Sequence, residues 1–491
     1  MKKLFLTGTA LMAFAATSFA QNTATLNQNG TGQTSNQNQV GNTLTSVVTQ
    51  GTSSDSPISK GNAAFTDQRQ NHNTTTITQT ASQYNQGFVY QNTFSNKTAG
   101  GATNEATIQQ IGSGSTSGLY PGDPNNTPAA NINPAATGNV ARIGQEDAGN
   151  HAAIEQNGVG NGTNYSNYGR IDQFHGNNGA TTSDVYIHQN GKSHGNVASI
   201  QERTSGAGKA TIEQNGLGAS GVSAGNTGTI NQSSPVAGVR ASIQQNSGAG
   251  TATSYTGGSV GNTATINQTG GMGNVTSQQN NGSGDYLVNT ITVTQTAGNH
   301  TAAVDQNDDS QGNTATVVQE GFGADDAQVH QSGFSGNGTA SIHQGTGNTG
   351  TSIAFINMKN QAGANSSATI NQNVGTGTGG NNTARIHQGL AGNSAAEIAI
   401  TASYGNQAQI DQHGASNTAQ QYQLGTNNQA DIMQTGSNNV VKGTALFRDP
   451  NYSTQIGQGN SMSVMQLGMG GNTAALYQQG MSNSGTIMQR N

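Results

Sequence analysis

Residues 405 to 436 read GNQAQIDQHGASNTAQQYQLGTNNQADIMQTG, and one pattern returns through them every 11 residues. Asn406, Ala408, Ile410 and Gln412 are followed by Asn417, Ala419, Gln421 and Gln423, then by Asn428, Ala430, Ile432 and Gln434. The unit, Asn-x-Ala-x-Ile-x-Gln-x-Gly, recurs at Asn150 to Gly158, Asn262 to Gly270, Asn313 to Gly321, Asn382 to Gln388, Asn460 to Gly468 and Asn483 to Gln489. Partial copies such as Ala210 to Gly216 fill much of the rest. A chain built on one short unit has few options, because each copy must bury its apolar face against its neighbours.

An 11-residue period also suits a right-handed helical supercoil. Here the apolar positions alternate with period two, nearly every unit contains glycine, and Thr, Val and Ile hold the periodic positions, all of which favour strands. In Asn262 to Gln268 the alternation sets Asn262, Ala264, Ile266 and Gln268 on one face and Thr263, Thr265 and Asn267 on the other. The sequence therefore predicts an all-β fold, a β-solenoid of strand-turn-strand rungs with two strands and about 22 residues each. Roughly 20 rungs would stack to about 100 Å, with Ile266, Ile386 and Ile410 inside and Thr265, Arg385 and Gln409 outside.

Composition supports the same reading. Hydrophobic residues are 31% and charged residues 8%, with 71 glycines, so no large conventional core is available. About 110 residues are Asn or Gln, which places the chain among sequences prone to β-assembly. One unit buries too little to offset the backbone entropy of its residues, so stability must come from stacking.

Inward amides are costly unless paired, but in register with identical residues above and below they form ladders that also fix the register. The ladder residues expected on this basis are Asn262, Gln268, Asn313, Gln319, Asn382, Gln388, Asn406, Gln412, Asn417, Gln423, Asn428, Gln434, Asn460, Gln466, Asn483 and Gln489. Glycine two residues after the Gln, at Gly158, Gly191, Gly216, Gly270, Gly333, Gly414, Gly425, Gly436, Gly468 and Gly480, is expected to supply the positive φ of a tight reversal. All seven prolines (57, 121, 124, 128, 134, 235 and 450) fall between predicted strands. The organisation expected is a signal peptide at 1–20, repeats at 21–112, an insertion at 113–137, repeats at 138–441, an insertion at 442–455 and repeats at 456–491; a shorter loop is expected at 52–60.

The string Gln412-x-Gly414-x-x-Asn417-x-Ala419-x-x-x-Gln423, continued by Gly425, Asn428, Ala430 and Gln434, resembles the curlin repeat of bacterial curli subunits. Asn406 stands where that repeat usually opens with serine. The resemblance implies a functional amyloid that self-associates into extracellular fibres for cell adhesion and biofilm matrix. It also implies two partners, a nucleator subunit and an outer-membrane secretion pore.

The first residues fit secretion. Lys2 and Lys3 precede an apolar run from Leu4 to about Ala16, and Ser18 and Ala20 occupy small-residue positions, so cleavage is expected between Ala20 and Gln21. No later segment is apolar enough to span a bilayer as a helix. A net charge of −6 creates no nucleic-acid or anionic-membrane footprint. With no cysteine, a secreted chain relies on repetition instead of disulfides.

Other chemistries find little support. His188, His330, His343 and His387 precede ladder glutamines and are expected to point outward without a second ligand cluster, so no metal or cofactor is expected. Glu155, Asp172, Asp305, Arg385 and Asp431 read as outward charges that slow sideways association, while Asp285 and the Asp325/Asp326 pair look isolated. No nucleophile with a positioned base can be named, so no enzyme is expected. Two alternatives stay open, a monomeric β-solenoid surface adhesin and, from Thr263/Thr265 and Thr314/Thr316, an ice-binding solenoid. The last full unit ends at Gln489 and the first begins near Ala24, so both ends of the stack are expected to be open templates.

Overall fold

A computed structural model describes residues 21–490 except 52–60, 71, 81–84, 92–103, 112–138, 147–149, 159–166, 175–182, 192, 205–207, 215–222, 235–237, 248–260, 282–288, 308–311, 333–336, 346–349, 360–364, 374–379, 390–403, 443–451 and 470. The expected signal peptide, the loops at 52–60 and 113–137, Gly216, Gly333, Asp285 and all seven prolines lie outside the described residues. The expected insertion at 442–455 lies partly outside them, and a strand resumes within it at Ser453.

Among the described residues every regular element is a strand, and neighbouring strands pair in parallel within two long sheets, while the short strands Ser193–His194 and Ser223–Ala224 pair with each other in a separate two-stranded sheet. Counting only the strands of the two long sheets, pairing joins each strand to the next but one along the chain, as Thr263–Thr269 joins Thr290–Thr296 and Asn274–Asn281 joins Thr301–Asn307. The chain thus crosses from one sheet to the other and climbs one rung with each pair of strands. The first sheet begins at Thr23–Gln28 and the second at Thr34–Val40. The second contains 16 strands. The first contains 18 because its last two rungs are each split, into Val440–Lys442 with Ser453–Gln458 and Thr473–Ala475 with Tyr477–Met481.

Among the described residues the stack therefore has 16 rungs instead of roughly 20, about 72 Å at the usual spacing. Rung length explains the difference. Gln28 to Gln50 and Gln412 to Gln434 are successive rungs 22 residues apart, but Gln91 and Gln145 occupy successive rungs 54 residues apart. Insertions between rungs consume chain without adding height.

Register is uniform, and it produces columns of like residues through the core. Ile200, Ile230 and Ile266 stack in the second sheet, followed by Val293, Val317, Ile342, Ile370, Ile410, Ile432 and Val464, all fully buried or nearly so. Alanines fill the next inward position, as at Ala315, Ala340, Ala368 and Ala408. The small and large columns form one continuous core along the stack. Ile266, Ile386 and Ile410 are buried, whereas Thr265, Arg385 and Gln409 lie on the outer faces, as the alternation requires.

Candidate assembly site: the amide ladders

Glutamine ends the inward run of nearly every strand, and its side chain reaches the equivalent glutamine of the next rung. In the second sheet Gln232 Nε2 donates to Gln268 Oε1 (2.9 Å), Gln268 to Gln295 (2.9 Å), Gln295 to Gln319 (2.8 Å) and Gln319 to Gln344 (2.9 Å). The same column continues from Gln372 to Gln412, Gln434, Gln466 and Gln489 at 2.7–2.8 Å. Gln388, Gln423, Gln455 and Gln478 make the matching column in the first sheet at 2.9 Å. A primary amide suits this role because it holds one donor edge and one acceptor edge, so identical residues satisfy each other indefinitely.

The second amide proton ties the sheets together. Gln412 in the second sheet donates to the Thr383 carbonyl in the first (3.1 Å), and Gln423 in the first donates to the Gln407 carbonyl in the second (2.9 Å). Each glutamine therefore bridges both to the next rung and across the core. That cross-core bond was not legible in a repeat read along the chain, because it depends on how the two sheets face each other.

The asparagines also form columns; amide-to-amide bonds join Asn460 to Asn428 (3.1 Å) and Asn483 to Asn460 (3.0 Å), as the sequence suggests, but most links in the columns run from side chain to backbone. Asn262 Oδ1 accepts from the backbone N–H of Asn289 (3.0 Å), and Asn289 Oδ1 accepts from that of Asn313 (2.9 Å). Asn406, Asn428, Asn460 and Asn483 repeat the bond at 3.0–3.1 Å, and Asn382 passes it to Asn417 (2.9 Å). The freed Nδ2 of Asn417 donates to the His413 carbonyl (3.2 Å) and to that of Gly436 (3.0 Å). Asn428 does the same with Leu424 and Gly457, both at 3.1 Å. Asparagine is one methylene shorter than glutamine and sits where the strand leaves a turn, so its carbonyl meets main chain and its amide closes the reversal.

The turn glycines divide into two kinds. Gly414, Gly425, Gly436 and Gly468 have φ between 101° and 109°. A Cβ on Gly414 would collide with the Gly436 carbonyl oxygen, and one on Gly425 with that of Gly457. Gly270 differs, with φ of 70° and only Ala297 nearby at 3.6 Å; Ala297 itself adopts φ of 59°. The sequence reading missed a second left-handed position directly before the ladder asparagine, held by Gly261, Gly405, Ser416, Asn427, Asn438, Gly459 and Ser482. Gly158 and Gly191 close the strands Asn150–Gly158 and Ser183–Gly191.

Residues 425–468, which carry Gly425, Asn428, Gln434, Gly436, Asn460, Gln466 and Gly468 of these columns, match the family model of the curlin associated repeat. That segment carries a curlin-type repeat. No curated protein and no solved structure matches the chain.

On the outer faces of the stack, contacts between rungs bring together charges that are remote in sequence. His188 pairs with Glu155 (3.2 Å), His330 with Asp305 (2.9 Å) and His343 with Glu320 (3.6 Å), each across adjacent rungs. His387 instead joins an aromatic column with Phe355 and Tyr452, ring centroids 5.2 Å apart on each side. Asp172 is not an exposed gatekeeper, because it is nearly buried and paired with Arg170 at 2.5 Å. Asp431 lies exposed on the outer face, where desolvation first, with the Asp411 carboxylate second, holds its carboxyl above the ordinary range. Asp325 is not isolated either. It occupies an asparagine column in the core, where its Oδ1 accepts the Ser352 N–H (3.0 Å) and its Oδ2 lies 3.5 Å from Nδ1 of the equally buried His300. No group of three or more metal-ligating side chains occurs among the described residues, and no helix among them is long and apolar enough to cross a membrane.

Proposed function

We propose that this chain is a secreted structural subunit that polymerises into extracellular, curli-like amyloid fibres serving cell adhesion and biofilm matrix. The observation that carries this reading is the pair of glutamine ladders. Parallel strands in uniform register, with identical amides stacked through the interior, have the geometry of a cross-β fibre within one chain. Bonds that join rung to rung inside the chain can join one copy to the next without new chemistry. The ladders are also polar: every Nε2 in the run from Gln372 to Gln489 points toward the later rung. Added copies would therefore align head to tail. The outermost described rungs offer the edges for this step, and Leu26, whose equivalents inside the stack are buried, is 49% exposed.

In this reading the ladder residues act structurally, with no catalysis and no cofactor. Export follows removal of residues 1–20 and passes through an outer-membrane pore of the curli type, and a nucleator subunit starts growth. Electron microscopy of the purified mature chain over time, with thioflavin binding followed in parallel, tests the central claim. Unbranched fibres growing with the dye signal are the expected result. A chain that stays monomeric at high concentration without dye response would instead be a monomeric β-solenoid surface adhesin.

A further inference from the structure

The outer face of the second sheet carries a regular array that the first sheet lacks. From the seventh to the twelfth rung, the register sets Thr227, Thr263, Thr290, Thr314, Thr339 and Ser367 in one file. Two residues further along each strand, Thr229, Thr265, Thr292, Thr316, Ser341 and Thr369 make a second file beside it. The pairing runs through these six rungs without a bulge or a shift of register. At ordinary strand geometry the hydroxyls therefore repeat about every 4.8 Å up the stack and about every 6.6 Å along the strand, over a length of about 24 Å. Along the chain the series is hidden, because pairs from the first sheet such as Thr301/Ala303 and Asp326/Gln328 fall between its members.

Threonine is a good strand former, which alone would put it on many exposed strand faces. The first sheet shows that propensity is not the cause here. In the same rungs its outward positions include Lys209, Arg240, Asp305, Asp326, His330 and Phe355, under the same demand for strand formers. The two files of the second sheet contain no charged and no aromatic residue. All twelve side chains are half-exposed or exposed, and none of their hydroxyls bonds to another described residue. The third outward position varies, from Asn231 and Asn267 to Val318 and His343, so the regular face is two files wide.

A grid of hydroxyls and methyls on an open sheet provides no concavity, no fixed charge and no ring face on which a sugar could stack. It suits a partner that is itself a grid. Threonine is branched at Cβ, so its hydroxyl and methyl keep few orientations on a strand. Each hydroxyl can anchor a water, and the methyls between them leave neighbouring waters to bond to one another. Fixing one water costs up to about 2 kcal/mol in entropy, so a lone threonine gains little, whereas twelve positions in register hold waters that satisfy each other.

We propose that this face binds ice: waters anchored along the two files continue the oxygen lattice of a crystal surface and adsorb the chain to it. Ice presents rows of oxygens that repeat in two perpendicular directions at distances similar to those of the array. The face is complete within one chain, so it does not depend on fibre formation, and failure of either reading leaves the other standing.

A single ice crystal grown slowly in a solution of the soluble, fluorescently labelled full chain tests this. The expected result is accumulation of the chain on the crystal and a gap between melting and growth temperatures wider than in a buffer of equal osmolality. Thr292→Lys, at the centre of the array, should narrow that gap severalfold. Thr276→Lys makes the same change in the same rung on the outer face of the first sheet, and should leave the gap intact. Chemical denaturation checks that both variants fold, and Thr265→Lys, one rung earlier, replaces Thr292→Lys if that variant does not. Equal loss in the two sheets, or no adsorption by the folded wild type, would overturn the proposal. Adsorption to insoluble cellulose or chitin but not to ice would also overturn it and give the face to a polysaccharide.

Discussion

Replacing Gln412 and Gln434 with leucine, singly and together, tests whether the glutamines act as a continuous ladder or as separate residues. In Gln412→Leu the Oε1 of Gln434 loses its donor outright, and Gln372 Nε2 loses its 2.8 Å acceptor while keeping the Ile353 carbonyl at 3.2 Å. An orphaned buried acceptor costs about 1–3 kcal/mol and a lost hydrogen bond about 0.5–1.5 kcal/mol, so the single change should destabilise the chain by about 1.5–4.5 kcal/mol. Gln434→Leu does the same one rung later, stranding Gln466 Oε1 and removing the acceptor of Gln412. In the double variant the inner bond vanishes with both its partners. What remains of the ladder is one orphaned acceptor, Gln466 Oε1, and one donor deprived of its acceptor, Gln372 Nε2, as in a single substitution, and the only further loss is the second cross-core bond, from Gln434 to the Thr418 carbonyl. The double variant should therefore lie within about 1 kcal/mol of either single one, a strong departure from additivity. Gln412→Leu combined with Gln306→Leu, in the other sheet and several rungs away, should add normally. Chemical denaturation of the full chain measures all five variants. If the costs of Gln412→Leu and Gln434→Leu simply sum, the ladder is not the unit of stability.

The two kinds of turn glycine should respond differently to alanine. Gly425→Ala should cost at least about 1–3 kcal/mol, because a positive φ is joined by collision with the Gly457 carbonyl, whereas Gly270→Ala should cost only about 1–2 kcal/mol, as Ala297 already shows the conformation is accessible. Thermal unfolding ranks them, and an equal loss would remove the close-approach explanation. Asp431, held above the ordinary carboxyl range by desolvation and by Asp411, contributes stability below that range that is lost as pH rises through it. Asp431→Asn should accordingly be more stable than wild type at neutral pH and equal to it in acid, measured by denaturation at both; a variant that is less stable at neutral pH would contradict this. Mass spectrometry of the secreted protein should find Gln21 at its start, and a mature chain that retains Met1 would rule out the expected cleavage.

Much of this was legible because a strand repeats every two residues and a stacked rung sees only its neighbours. Period-two alternation was enough to set Ile266 and Ile410 inside and Gln409 outside, and constant phase was enough to mark Gln268, Gln412 and Gln434 as one column. The number of rungs was not legible, since the 54 residues from Gln91 to Gln145 climb no further than the 22 from Gln412 to Gln434. Nor was the asparagine bond, which depends on the backbone conformation of the turn before Asn417 and Asn428.

The sequence by itself determined the strands, their inward faces and their register, because these follow from local alternation and from the cost of an unpaired buried amide. Only the tertiary structure decided which residues meet between rungs. His330 meets Asp305 and Asp325 meets His300 across separations that the insertions set and no local period encodes. The physical reason is that stacking converts distance along the chain into a few ångströms along the stack axis, and the length of each intervening segment costs little energy while it fixes which neighbours share a column.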